Sequence, residues 1–184
     1  GGWPEASPPV RACIADLERA YAENGAAFRA EALALLEARG YEQHEGLQDP
    51  AKPKWSYADV DDSTLEVSRP TIDRAVAAVR RTCGLQAAGI SRLEPGAAIR
   101  PHTGPTNRRW TLHLGLVVDA ADVDRLTLTV AGVARAGAWV QGKVVLFDDS
   151  YEHDVVHAGA RDRVVLDLSV DHPSFFLRGG RGEL

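Results

Sequence analysis

The chain predicts a mainly β fold, an antiparallel sandwich or barrel of the jelly-roll kind, carried behind N-terminal helices. Two observations carry that prediction. Up to Cys83 the sequence is rich in Ala, Leu and Glu, with apolar residues at steps of three and four. After Gly84 it breaks into short apolar or alternating segments separated by Gly, Pro and Asp, and seven of these fit between 87 and 170, the density of short strands that doubled or closed antiparallel sheets need. The 184 residues suit a single domain over 1–184, with helical support and a loop over 3–84, a β core over 85–173 and a tail over 174–184.

Taken in order, 3–9 reads as an irregular entry in which Pro4, Pro8 and Pro9 hold off a helix until Val10. Val10, Cys13, Ile14, Leu17 and Tyr21 then follow helical spacing. Phe28, Ala32, Leu33, Leu35 and Leu36 repeat it more loosely until Gly40 stops them, so two amphipathic helices are expected on the outside of something larger. Over 41–57 the periodicity vanishes, and Gly46, Pro50 and Pro53 punctuate a polar loop with His44, Lys52, Lys54 and Trp55. A third helix runs from Ser68 or Thr71 to Cys83, with Ile72, Ala75, Val76 and Val79 on one face and Gly84 closing it. The strand segments are 87–93, 110–118, 126–130, 138–140, 143–147, 154–157 and 163–170, with Gln141-Gly142 as a hairpin turn.

Charge and composition exclude some partners. The formal net charge is −5, from 26 acidic and 21 basic residues, which opposes non-specific attraction to nucleic acid or anionic lipid. No run approaches the ~18 apolar residues of a membrane span. Cys13 and Cys83 stand far apart without a zinc-type spacing and read as two isolated thiols, which makes a reducing cytoplasm the default compartment. There is no methionine, so Gly1-Gly2 reads as a cleavage scar or a trimmed terminus.

Two stretches concentrate chemistry: RPHTGPTNRRWTLHLGLVV over 100–118 and FDDSYEHDVVH over 147–157. His102 and His153 lie 51 positions apart, consistent with an early and a late strand of a β-sandwich bringing two imidazoles together around a metal; solvated or hydrogen-bonded histidines are the competing reading. Non-haem iron sites add a carboxylate to two histidines, yet two places after His102 stands Gly104, which has no ligating atom. Asp148, Glu152 and Asp154 read as the acidic rim of a turn, and Asp149 reads either so or as a support for a metal-bound imidazole. Arg163 opens the alternating segment RVVLDLSV, where a guanidinium on a rigid strand suits recognition of a carboxylate; a structural salt bridge is the competing reading. Arg108 and Arg109 could likewise bind an anionic substrate, though one of the adjacent pair must face away, and surface exposure is the competing reading. His157 and His172 read as structural or surface residues.

The combination PHTGPTNRR with HLGLVV, then GKVVLFDDSYEH, then RVVLDLSVDHP closely resembles the catalytic domain of the aspartyl/asparaginyl β-hydroxylases. Those are iron(II)- and 2-oxoglutarate-dependent oxygenases with a double-stranded β-helix core, a cupin-like jelly roll. The resemblance is specific from Ser91 to Pro173. It implies that His102 and His153 are the catalytic metal ligands for Fe(II), that Ser91, His113 and Arg163 contact the co-substrate 2-oxoglutarate, with Arg163 on its distal carboxylate, and that Arg109 lies on the substrate side. It also implies that O2 is consumed. Gly104 becomes a match, because this family lacks the carboxylate ligand at that place. Thr111 is a departure: the family motif usually carries a second arginine there, which helps hold an anionic group.

A cupin-like metal- or ligand-binding module without turnover is the alternative from another class, and a zinc hydrolase is opposed by the absence of HExxH. The oxygenase reading expects succinate and CO2 as co-products and hydroxylation of an unactivated C–H. Its small-molecule or peptide partner is a free amino acid, a carrier-tethered aminoacyl group or a peptide side chain, with no nucleic acid and no membrane. The loop over 41–57 and the linker over 56–66, DVDDS included, are expected to border the entrance.

Overall fold

The computed structural model describes residues 2–39, 47, 54–62 and 64–176. Helix α1 (Pro8–Arg39) and helix α2 (Pro70–Cys83) precede most of the strands. The strands are β1 (Trp55–Asp59), β2 (Leu85–Leu93), β3 (Ala98–His102), β4 (Arg109–Val117), β5 (Leu126–Val130), β6 (Val133–Ala136), β7 (Val144–Phe147), β8 (His153–His157) and β9 (Arg163–Asp171), and a short α3 (Pro173–Phe176) follows. A five-stranded sheet in the order β1-β2-β9-β4-β7 faces a four-stranded sheet in the order β3-β8-β5-β6, and all pairs are antiparallel. This is the expected mainly β jelly roll behind N-terminal helices.

The two helical patterns expected at the start share one 32-residue element, broken at Asn24, whose φ of −132° and ψ of 22° leave the helical region. Pro8 and Pro9 do not delay it. They occupy its first turn, where a missing N–H costs nothing and the fixed φ suits the helix. α2 starts at Pro70 and draws its cap from across the fold: the Glu31 carboxylate of α1 accepts the Thr71 N–H (3.0 Å) and the Ile72 N–H (2.9 Å). Val10, Leu17, Phe28 and Leu35 of α1 and Ile72 and Val79 of α2 bury against the outer face of the larger sheet, represented by Leu112, Leu114, Leu166 and Leu168. The alternate residues of the same strands face inward, where Leu93, Leu128, Trp139 and Val165 fill the space between the sheets.

Three strands depart from the expectation. β1 lies in what reads as loop and linker, and Gly89 explains its fit: a Cβ there would sit 2.6 Å from Tyr57 Cε1, so only glycine lets the β1 tyrosine cross β2. β3 contains Pro101 and lies at a sheet edge, where a missing N–H is tolerated. β6 is exposed along its whole length, so it has no apolar alternation to read. The segment 138–140, expected as a strand, joins neither sheet, although Trp139 is buried in the core. Of the loop over 41–57, residues 41–46 and 48–53 lie outside the described residues, as do Ser63 of the linker and 177–184 of the tail.

Cys13 and Cys83 correct the reading of two isolated thiols. They form a disulfide between α1 and the end of α2, with Cα atoms 6.6 Å apart, and both are buried. Sequence spacing could not reveal that the two helices run side by side, and the argument for a reducing compartment falls with it. Because the bond closes a loop of 70 residues, removing it with Cys83→Ser is expected to cost about 2–4 kcal/mol. Thermal melts of this variant and of the reduced wild type, both lowered by the same amount, check this. No helix among the described residues is long and apolar enough to cross a membrane.

Candidate active site

His102 ends β3 and His153 begins β8, and an irregular register between Ile99 and His102 sets the two directly opposite each other. Opposite residues of an antiparallel pair share a face. Their rings lie 4.1 Å apart, centroid to centroid, inclined by 50°. His102 Nδ1 lies 2.8 Å from the Arg100 carbonyl and His153 Nδ1 lies 3.0 Å from the Tyr151 carbonyl. A carbonyl only accepts, so each Nδ1 carries the proton and donates it, which leaves both Nε2 lone pairs for another partner. Burial holds the His153 pKa below the ordinary imidazole value, with the neighbouring His102 adding to the effect against the Tyr151 hydrogen bond. A neutral, oriented imidazole is the form that ligates a metal.

These rings open on a cavity of about 380 Å³ whose wall also carries Ser91, Arg109, His113 and Arg163. The structure therefore brings every residue singled out by the resemblance to one space. Arg163, the first residue of β9, is only 2% exposed. Its Nη2 donates to Ser91 Oγ (3.2 Å), and its guanidinium carbon lies 4.9 Å from the centre of the Trp139 ring. Its Nε is buried without a hydrogen-bond partner, and no carboxylate among the described residues pairs with it. The competing reading of Arg163 as one half of a structural salt bridge thus finds no partner. Burial lowers its pKa to about 9, against an opposing pull from the Asp167 carboxylate.

His113 has a fixed tautomer. The Trp139 indole N–H donates to its Nδ1 (3.1 Å), and an indole can only donate, so the proton of the neutral ring sits on Nε2. Phe147 packs its edge on His113 and also touches His153, which seats both rings against one aromatic wall. Arg109 grips Asp149 through Nε (3.1 Å) and Nη2 (2.7 Å), both to Oδ2. Gly104 makes that pair possible, because a Cβ on it would lie 2.6 Å from Asp149 Cγ. Asp149 is thus a buried anchor for Arg109 rather than part of a turn's rim, and its Oδ1 is buried without a partner.

The other candidates fall elsewhere. Asp148 accepts from Ser150 in a turn, and Asp154 and Glu152 do not line the cavity. His157 Nε2–H donates to the Arg161 carbonyl (2.7 Å) and its Nδ1 accepts the Gly159 N–H, a structural arrangement. His172 packs edge-on to Trp110, and Arg108 lies off the cavity. Sequence reasoning missed Trp139, Tyr57 and Asp167. For Asp167 the signal was there, since the alternation in RVVLDLSV turns it to the same side as Arg163.

The donor set tests what the cavity fits. No group of three or more His, Cys, Asp or Glu suited to a metal occurs among the described residues. Two neutral imidazoles suit a divalent iron that takes its remaining ligands from a chelating co-substrate and water. A buried guanidinium on the same cavity, its Nε unpartnered and no carboxylate among the described residues paired with it, suits the far carboxylate of such a co-substrate. A second cavity of about 350 Å³, between α1 and α2, contains no histidine.

The architecture is that of a double-stranded β-helix. A structure of a Pseudomonas putida prolyl-4-hydroxylase shares it at a TM-score of 0.53 and 19% identity, over 86% of this chain and 99% of that one. The sequence model described as Aspartyl/Asparaginyl beta-hydroxylase matches residues 22–173, and the chain belongs to that family. It is similar to the mouse (Mus musculus) aspartyl/asparaginyl beta-hydroxylase, at 40% identity over 83 residues, 45% of this chain and 10% of that protein. It is equally similar, at 40% over 97 residues, to the ornithine lipid ester-linked acyl 2-hydroxylase of Rhizobium tropici, over 53% of this chain and 34% of that protein. The chain thus spans a tenth to a third of the length of these relatives.

Proposed function

We propose that the chain is an iron(II)- and 2-oxoglutarate-dependent dioxygenase that hydroxylates an unactivated C–H of an amino acid, a carrier-tethered aminoacyl group or a peptide side chain. His102 and His153 hold the iron through Nε2. Arg163, steadied by Ser91, receives the distal carboxylate of 2-oxoglutarate, and the Nε2–H of His113 is a second donor on the same wall. Arg109, held by Asp149, borders the substrate. Bound iron and 2-oxoglutarate supply the oxidising chemistry, in which O2 converts the co-substrate to succinate and CO2 while the substrate gains a hydroxyl. The remaining task of the protein is to position, and to keep water from the reacting centre.

The observation that carries this reading is the Arg163 guanidinium, buried on the cavity of the two histidines and paired with no carboxylate among the described residues. A buried unpaired charge is costly unless a ligand completes it. Anaerobic addition of Fe(II) and 2-oxoglutarate should give a weak visible charge-transfer band, and admission of air should then yield succinate. Binding of neither component overturns the reading.

A further inference from the structure

The cavity wall beyond the two histidines carries an acid that the proposed function leaves unused. Asp167 stands on β9 opposite His113 of β4 and Gly89 of β2. Gly89 contributes no side chain, and the Tyr57 ring occupies the space above it, so Asp167 is flanked by a phenol and an imidazole. The Asp167 side chain is 25% exposed, and its one ion-pair neighbour among the described residues is His113 Nε2 at 3.5 Å, beyond ordinary hydrogen-bond length.

Among the described residues no cation forms an ion pair with this carboxylate from a neighbouring strand position; Arg163, four residues earlier on β9, is drawn to it electrostatically but hydrogen-bonds Ser91. The next pair along, Thr111 opposite Ser169, presents two small hydroxyls, both on the cavity. Arg109 is engaged by Asp149, and Arg163 donates to Ser91. An acidic substrate seated here would meet like charge at short range, whereas an ammonium or guanidinium group would find a charged acceptor.

We infer that Asp167, with Tyr57 beside it, is the specificity-determining subsite for a positively charged nitrogen of the substrate, which is therefore an amine- or guanidine-bearing amino acid or residue. This rests on the proposed function only in taking the cavity as the substrate's. The charged nitrogen is either the α-ammonium of a free amino acid or the side chain of a basic residue.

Calorimetry on the protein with zinc(II) and 2-oxoglutarate, which cannot turn over, tests it. The probes are L-norleucine, Nα-acetyl-L-lysine amide, Nα-acetyl-L-norleucine amide and Nα-acetyl-L-aspartate amide. At least one of the first two should bind about tenfold or more tighter than the last two, as a charge-assisted hydrogen bond predicts. Asp167→Asn should remove that advantage and leave 2-oxoglutarate affinity unchanged, and the winning probe identifies the source of the charge. The inference is overturned if the aspartyl probe binds best, if no cationic probe gains, or if the gain survives in Asp167→Asn. Loss of 2-oxoglutarate affinity in that variant overturns it too, by assigning Asp167 to His113 and the co-substrate. If zinc(II) and 2-oxoglutarate do not bind the wild type, the proposed function fails and the same probes are titrated into the unloaded protein.

Discussion

Alanine at His102 or at His153 is expected to abolish iron retention and, with it, any 2-oxoglutarate turnover. Each ring presents Nε2 because its Nδ1 proton is held by the carbonyl two residues earlier, of Arg100 and of Tyr151. With two proposed protein donors among the described residues, loss of either leaves one imidazole. The fall in affinity should exceed the ~10–100-fold that follows loss of a mere supporting hydrogen bond. Iron content after dialysis, together with the anaerobic charge-transfer band, reads this out. A full-strength band in both variants would refute the assignment. The pH response has a defined sign: the His153 pKa is below its ordinary 6.5, so this ring keeps its lone pair as the pH falls through that value, and its protonation competes with metal only in more acid solution.

Arg163→Met should weaken 2-oxoglutarate binding by roughly 2–5 kcal/mol, the range for one partner of a buried charge pair. That is about 30-fold to several thousand-fold in the dissociation constant. The same variant discriminates function from scaffold, because the guanidinium is buried with an unpartnered Nε and forms no ion pair with a carboxylate among the described residues. Replacing such a charge with an apolar chain of similar length should leave the thermal stability of the ligand-free protein equal or raised. A structural arginine would give the opposite pattern: a clear loss of stability with co-substrate affinity intact. Arg163→Lys keeps a charge without the planar fork and should bind 2-oxoglutarate between wild type and Arg163→Met.

Much of the site was legible because its residues lie in local patterns. PHTGP placed His102, Arg163 followed from the alternation of a strand, and the order of motifs carried the family resemblance. Gly104 was legible as an absence, but its reason was not. In the fold it clears space for Asp149, and so for the Arg109 pair, which are 45 and 40 residues apart from their partners in the chain. The edge strands β3 and β6 escaped notice because a proline and full exposure erase the period on which strand recognition depends.

By itself the sequence determined the class of fold, through the switch from helical to alternating periodicity at Gly84, and the candidate chemistry, through histidines and an arginine in strand contexts. Periodicity fixes which face a side chain takes, since that depends only on neighbours along the chain. Tertiary structure decided what crosses between elements: the Cys13–Cys83 bond, the Glu31 cap on α2, the register that sets His102 against His153, and the burial of Arg163 with its Nε unpartnered. It also brought Thr111 and Asp167 onto one wall of the cavity. Such facts depend on distances between residues remote in sequence, which close only when the two sheets and the helices pack.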